Sequence, residues 1–309
     1  GTGSSTKTVA YGNSATFTVS PNSGYTTTLT TNSCGGTLRE TTYTISNITS
    51  NKTCSITFKK ATLADLIKTN AVNENGYRYE GSNPNNYIYM ENNGTRELWR
   101  IIGLFPDGVN GENVIRVRKV GYESAAYHSS FPYINHWPNT TLYTTLSSSY
   151  SLANYKNTVN YKMYLGTTGT YNTLTAEGWY TAERGNTPGK AAATSYNNTT
   201  TFNGSVGLMY PSDYGYAVLA SDCERTIQPY SYDKTSACYK NNWLYYSSDL
   251  QWLMSPYFYE AGYAFEASSR GGIGISGAYV SSSISPVMAL KSDVYVSGKG
   301  TKYSPYVMQ

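Results

Sequence analysis

Residues 15–20, Ala15-Thr16-Phe17-Thr18-Val19-Ser20, alternate apolar and polar side chains and stop at Pro21-Asn22-Ser23-Gly24. Tyr43-Thr44-Ile45 and Cys54-Ser55-Ile56-Thr57-Phe58 repeat the pattern. Successive side chains of a strand point to opposite faces, so period two predicts half-buried strands. Residues 1–60 are expected to form a small all-β domain, with Cys54 on the same face as Ile56 and Phe58. The period then changes. Leu63, Leu66 and Ile67 share one face of a helix predicted over residues 61–70, and Asn-rich sequence ends it. Residues 61–75 read as a helical connector, and a second domain follows over residues 76–309.

That domain opens with strands predicted at residues 86–90, 97–105 and 113–120. Asp107-Gly108 and Asn110-Gly111 supply the turn before the third. Leu142, Leu146, Tyr150, Tyr155, Val159 and Met163 recur at mostly helical intervals, which predicts one or two helices between residues 140 and 165. From Ala220 onward Gly, Ser and Tyr dominate, so strands are short and loops long. Helices segregated beside an antiparallel sheet predict an α+β architecture.

Tyrosine dominates the aromatic composition. The chain holds 33 tyrosines against 7 phenylalanines and 5 tryptophans, and only 14% of residues are charged. Globular domains usually carry about 25% charged residues. The difference is made up by Ser, Thr, Asn, Gly and Tyr, a profile of extracellular β-rich proteins and of antibody binding loops. Only Tyr11, Tyr25 and Tyr43 fall in residues 1–60, so the tyrosine excess belongs to the second domain. No apolar run is long enough to span a membrane. The start at Gly1-Thr2-Gly3 carries no signal peptide, which suggests a mature or trimmed chain with its export signal or anchor elsewhere. The net charge of +4 is scattered, and Lys59-Lys60 and Arg116-Val117-Arg118-Lys119 fit solvated strand faces better than nucleic-acid binding.

Cys34 with Cys54 and Cys223 with Cys238 form two local pairs without CxxC spacing or a nearby histidine. Two short-range disulfides in an oxidising, extracellular compartment are the better reading, four buried thiols the alternative. His128 and His136 stand in no nucleophile context. Glu260 with Glu266 and Asp213 with Asp222 are the carboxylates closest to a hydrolase pair, on spacing alone. No EF-hand loop, Walker A motif, GxGxxG turn or HExxH is present, so no metal or cofactor is implied. The segment Asp107-Gly108-Val109-Asn110-Gly111-Glu112-Asn113 fits a hairpin better than a calcium loop.

What remains is a binding surface. In residues 255–285, strand alternation turns Phe265 and Ala267 to the core and Glu266 and Ser268 outward. Tyr257, Tyr259, Tyr263 and Tyr279 sit there among Gly and Ser. Tyrosine offers large contact area with a polar tip, and Ser and Gly adapt the shape around it. A scaffold whose rings merely pack between strands explains the composition equally well.

A series of motifs adds a resemblance. Arg78-Tyr79-Glu80-Gly81-Ser82-Asn83-Pro84-Asn85-Asn86-Tyr87-Ile88 precedes Glu97-Leu98-Trp99-Arg100-Ile101-Ile102-Gly103. Val206-Gly207-Leu208-Met209-Tyr210-Pro211-Ser212-Asp213-Tyr214-Gly215-Tyr216-Ala217, Asn242-Trp243-Leu244 and Gln251-Trp252-Leu253-Met254-Ser255-Pro256 follow. Ser285-Pro286-Val287 and Leu290-Lys291-Ser292-Asp293-Val294 close the series. Residues 76–309 resemble secreted gut-bacterial proteins with a C-type-lectin-like domain of the formylglycine-generating-enzyme subtype. That family is similar to the variable proteins of diversity-generating retroelements, including phage receptor-binding tips. Residues 9–25 resemble small β repeats of bacterial surface proteins, usually spacers.

The resemblance implies a C-type-lectin-like domain with short antiparallel strands, one or two helices and long loops. Its diversified stretch would be residues 257–283, with Tyr257, Tyr259, Glu260, Tyr263, Glu266, Ser268, Arg270, Ser276 and Tyr279 as outward ligand contacts. Ser285 stands where relatives often have arginine. The enzyme lineage uses active-site cysteines, and no candidate pair stands outside Cys223 and Cys238. No Trp-Asn-Asp or Glu-Pro-Asn signature of calcium-dependent sugar binding is present. The expected function is non-catalytic extracellular recognition of a protein or glycan on another cell, a host or a phage target. The alternatives are a pilus or surface-layer subunit assembling through the same face, and an enzyme, either a hydrolase or an oxidase of the formylglycine-generating type.

Overall fold

A computed structural model describes residues 3–22, 24–193 and 197–309, so Ser23 of the first expected turn lies outside the described residues. In the N-terminal part Ala15–Thr18, Thr42–Ile45 and Thr37–Arg39 form a three-stranded antiparallel sheet in that order. Ala15, Tyr43 and Ile45 are its buried residues. Tyr25–Asn32 and Ile56–Lys60 make a separate two-stranded ladder. The expected alternation is visible there: Cys54, Ile56 and Phe58 are half-buried, while Ser55 and Thr57 are exposed. Cys54 is disulfide-bonded to Cys34, with the Cα atoms 5.4 Å apart. Gly36 is needed at its position because a Cβ there would lie 2.5 Å from the Tyr43 ring.

The helix spans Leu63–Asn70 and begins with a capping box. The Thr62 hydroxyl accepts from Asp65 N–H at 3.2 Å, and Asp65 accepts from Thr62 N–H at 3.0 Å. Leu63 and Ile67 are fully buried in the same core as Ile88, Trp99, Ile115 and Met288. Leu63 N–H also donates to the Val294 carbonyl at 2.7 Å. The segment between the two parts of the sequence is thus packed into the larger one.

The main sheet runs Thr158–Val159, Val287–Lys291, Val114–Lys119, Thr95–Phe105, Tyr87–Asn92, Tyr306–Met308 and Val296–Ser297. A second, five-stranded sheet runs Glu123–Ala126, Ser281–Ile284, Gln251–Pro256, Tyr263–Ala267 and Ile273–Gly277. Two hydrophobic cores flank them. One holds Trp99, Tyr127, Trp137 and Trp252, the other Phe105, Trp179, Leu253, Phe265 and the Cys223–Cys238 disulfide.

This corrects the α+β expectation. With 35% of residues in strands and 16% in short helices, the chain is mainly β in several sheets, and no feature of it identifies a C-type-lectin-like domain. Threonine and the aromatic residues favour a pleated, half-buried surface over a helix. The segment over residues 140–165 illustrates the point. Thr141–Ser149 is helical, but Thr158–Val159 and Tyr161–Tyr164 are strands. Asn157 turns the chain between them at φ 61°, and burial then alternates with period two. No helix among the described residues is long and apolar enough to cross a membrane. The two disulfides fit a secreted or extracellular protein.

Candidate functional site

The loop of residues 257–262 links the strands Gln251–Pro256 and Tyr263–Ala267. Both strands are buried nearly throughout, so the loop stands on a rigid base. Asn135, itself fully buried, clamps it. Its Nδ2 donates to the carbonyls of Tyr263, Tyr257 and Glu260 at 2.7, 3.0 and 3.1 Å. The Thr167 hydroxyl adds a bond to the Pro256 carbonyl at 2.7 Å.

Aromatic rings gather around this loop. Tyr259 and Tyr279 are each 55% exposed, Tyr263 36%, Tyr230 39% and Phe131 86%. Half-buried rings join them. Tyr257 meets Tyr259 and Tyr263 at centroid distances of 5.7 and 6.3 Å and Tyr171 at 6.0 Å. Tyr171 continues to Tyr230 at 5.8 Å. On the other side Tyr133 lies 5.0 Å from Tyr279 and 6.0 Å from Phe131. The two groups are neighbours, because Tyr263 pairs with Gly277 and the Ala278 N–H donates to the Gly262 carbonyl. Geometries are mostly edge-to-face, the arrangement that ring quadrupoles favour.

Two neighbouring grooves open in this region, and the loop borders the second. One, of about 560 Å³, is lined by Thr167, Thr168, Thr175, Glu177 and Thr181. The other, of about 450 Å³, is lined by Pro188, Gly189, Lys190, Phe258 and Tyr259, and Thr187 is common to both. The Tyr259 hydroxyl sits over Gly169, where a Cβ would come within 2.5 Å of it.

The expected contact residues fall into separate places. Tyr259, Glu260, Tyr263 and Tyr279 are exposed around the loop, and Ser276 is half-buried opposite Ala264. Tyr257 is half-buried and rests on Phe265 at 5.8 Å, so it supports the surface as much as it displays it. Ser268 and Arg270 belong to the turn at the far end of the Tyr263–Ala267 strand, where the Arg270 N–H donates to the Ser268 hydroxyl.

Glu266 is a correction: it is 5% exposed rather than outward. Its strand lies between two cores, Phe265 facing one and Ala264 the other, so alternation does not separate inside from outside. Burial raises its carboxyl above the ordinary range, opposed by a hydrogen bond from Ser276 and reinforced by Asp249.

The other candidates for chemistry have structural surroundings. His128 Nδ1 accepts from the Thr141 N–H, and His136 Nε2 contacts the Thr199 carbonyl. Burial lowers the basicity of both. Asp213 is buried between Arg78 and Arg116, 2.7 Å from each. Burial alone would raise Asp213, but Arg116 and Arg78 outweigh it and hold the carboxyl below its ordinary range. Arg116 and Arg184 both reach Asp107, and Arg184 also meets Glu183, completing an internal ionic network. Cys223 and Cys238 are bonded and buried. Glu260 is exposed and Glu266 buried. Among the described residues, no three His, Cys, Asp or Glu side chains gather to hold a metal ion.

Sequence reasoning missed Phe131, Tyr133, Asn135, Tyr171 and Tyr230. The one local signal was Phe131-Pro132-Tyr133 following Ser129-Ser130, bulky rings in a polar loop. No family model, curated protein or solved structure matches the chain.

Proposed function

We propose that this is a non-catalytic extracellular recognition protein that binds a protein or glycan on another cell, a host or a phage target. The contact surface is the aromatic face built on the 257–262 loop. The observation that carries this reading is the gathering of Phe131, Tyr230, Tyr259, Tyr263 and Tyr279 from distant parts of the chain around one clamped loop. Exposed aromatic clusters of this kind mark interaction sites, and rigid tyrosines give contact area at low entropic cost. The motif likeness to variable proteins of diversity-generating retroelements extends the proposal: the codons of residues 257–283 would differ between copies of the gene. A near-identical template repeat in the flanking DNA, differing mainly at adenines, is the expected sign of that.

The surface itself is tested by replacing Tyr259, Tyr263 and Tyr279 together with alanine. Binding of the parent chain to a glycan array and to intact bacterial and epithelial cells should be lost. The variant should melt within about 3 °C of the parent, because these side chains are exposed and contribute little to the core. Binding that survives the triple replacement counts against this face.

A further inference from the structure

Arg100 and Arg118 are cross-strand partners on Thr95–Phe105 and Val114–Lys119, so their side chains share one face of the main sheet. Arg78, Arg116, Arg184 and Arg225 each meet a carboxylate. Among the described residues no such ion pair involves Arg100 or Arg118. Arg100 is half-buried and partly satisfied: Nε donates to Asn86 Oδ1 at 2.8 Å and Nη2 to the Pro84 carbonyl at 3.3 Å. Arg118 is only 5% exposed, and its Nε and Nη2 are buried without an acceptor.

Aromatic rings cover the flat faces of both guanidinium groups. Arg100 lies 4.4 Å from the centroids of Tyr87 and Trp243. Arg118 lies 4.9 Å from that of Tyr122, which in turn stacks on Tyr246 at 3.6 Å. Cation–π contact attracts the charge but leaves the in-plane N–H groups of Arg118 unused. Burial pulls Arg100 down to about 10, with Tyr87 and Tyr122 opposing and Arg118 adding to the fall. Arg100 therefore stays charged at neutral pH. Two neighbouring cations, one of them Arg118 with buried donors left unpaired, are costly unless an anion compensates them.

We propose that Arg100 and Arg118 form a binding site for a small oxyanion, seated in the plane of the Arg118 guanidinium and walled by Tyr122 and Trp243. The guanidinium fork fits a planar carboxylate or a tetrahedral phosphate or sulfate through charge-assisted hydrogen bonds. The site uses none of the residues of the 257–283 face and stands independently of the function proposed above.

Thermal melting and calorimetric titration of the full chain with sodium acetate, phosphate or sulfate test this, against sodium chloride at matched ionic strength. At least one oxyanion should give a saturable binding heat and raise the melting temperature of the parent more than that of an arginine variant, since a ligand that binds only the folded state stabilises it. The general salting-out effect of sulfate or phosphate acts on both alike. Response to acetate alone identifies a carboxylate ligand, and response to phosphate or sulfate a tetrahedral one. Arg118→Gln should weaken that binding by about ten- to a hundredfold. Equal responses to all four salts overturn the proposal, as does an Arg118→Gln variant that binds like the parent. If Arg118→Gln fails to fold, Arg100→Gln makes the same comparison, and the parent titration decides by itself.

Discussion

Glu183 is fully buried, and Ser212 donates to it twice, from its N–H at 2.8 Å and its hydroxyl at 2.6 Å. Burial pushes its carboxyl up to about 7, although Arg184 and Ser212 favour the charged form. Between about pH 4.5, its ordinary value, and pH 7 the folded chain holds a proton that the unfolded chain has lost. Stability from this group is therefore fully present below that window and is lost as pH rises through it. Glu183→Gln should flatten the fall of melting temperature with pH over this range, measured in buffers of constant ionic strength. An unchanged slope would assign the pH dependence to other groups. The sequence offered no sign of this residue. Glu183 lies in an ordinary helical segment, and its environment comes from Ser212 and Arg184 meeting there.

At the scale of elements, the Leu63–Asn70 helix was the most legible. The spacing of Leu63, Leu66 and Ile67 is local, and the helix appears as expected; the Thr62–Asp65 capping box, also local, adds a start signal that the spacing alone did not use. What spacing could not convey is how deeply the helix is buried. Leu63 and Ile67 are at 0% exposure within the main core. Leu63→Ala should therefore cost about 2–5 kcal/mol in denaturant unfolding of the whole chain, as core truncations do. A cost below about 0.5 kcal/mol, typical of surface positions, would make the helix a loosely held link. The 257–262 loop shows the opposite balance. Its tyrosines were legible, but Asn135 and the rings of Tyr133 and Tyr171 come from more than 80 residues away. Of the one or two helices expected between residues 140 and 165 one formed, Thr141–Ser149; past the left-handed turn at Asn157 the chain is strand, because helical and strand spacings coincide over short apolar runs.

Across the whole molecule the two disulfides close loops of similar size, with sequence separations of 20 and 15. Each is worth about 3 kcal/mol by loop-closure arithmetic. Their surroundings differ: Cys34 and Cys54 are half-buried, whereas Cys223 and Cys238 lie inside a core. Mild reduction of the folded chain followed by alkylation and mass spectrometry should label Cys34 and Cys54 first. Cys223 and Cys238 should react only under conditions that unfold the larger part. Equal labelling rates would contradict this order. Side chains close together along the chain were enough to indicate the N-terminal strands, the first helix and the cysteine pairing. Tertiary structure decided the mainly β architecture, the burial of Glu266, the gathering of the aromatic face and the unpaired Arg118. All four depend on which distant segments share a core, and period and composition carry no record of that.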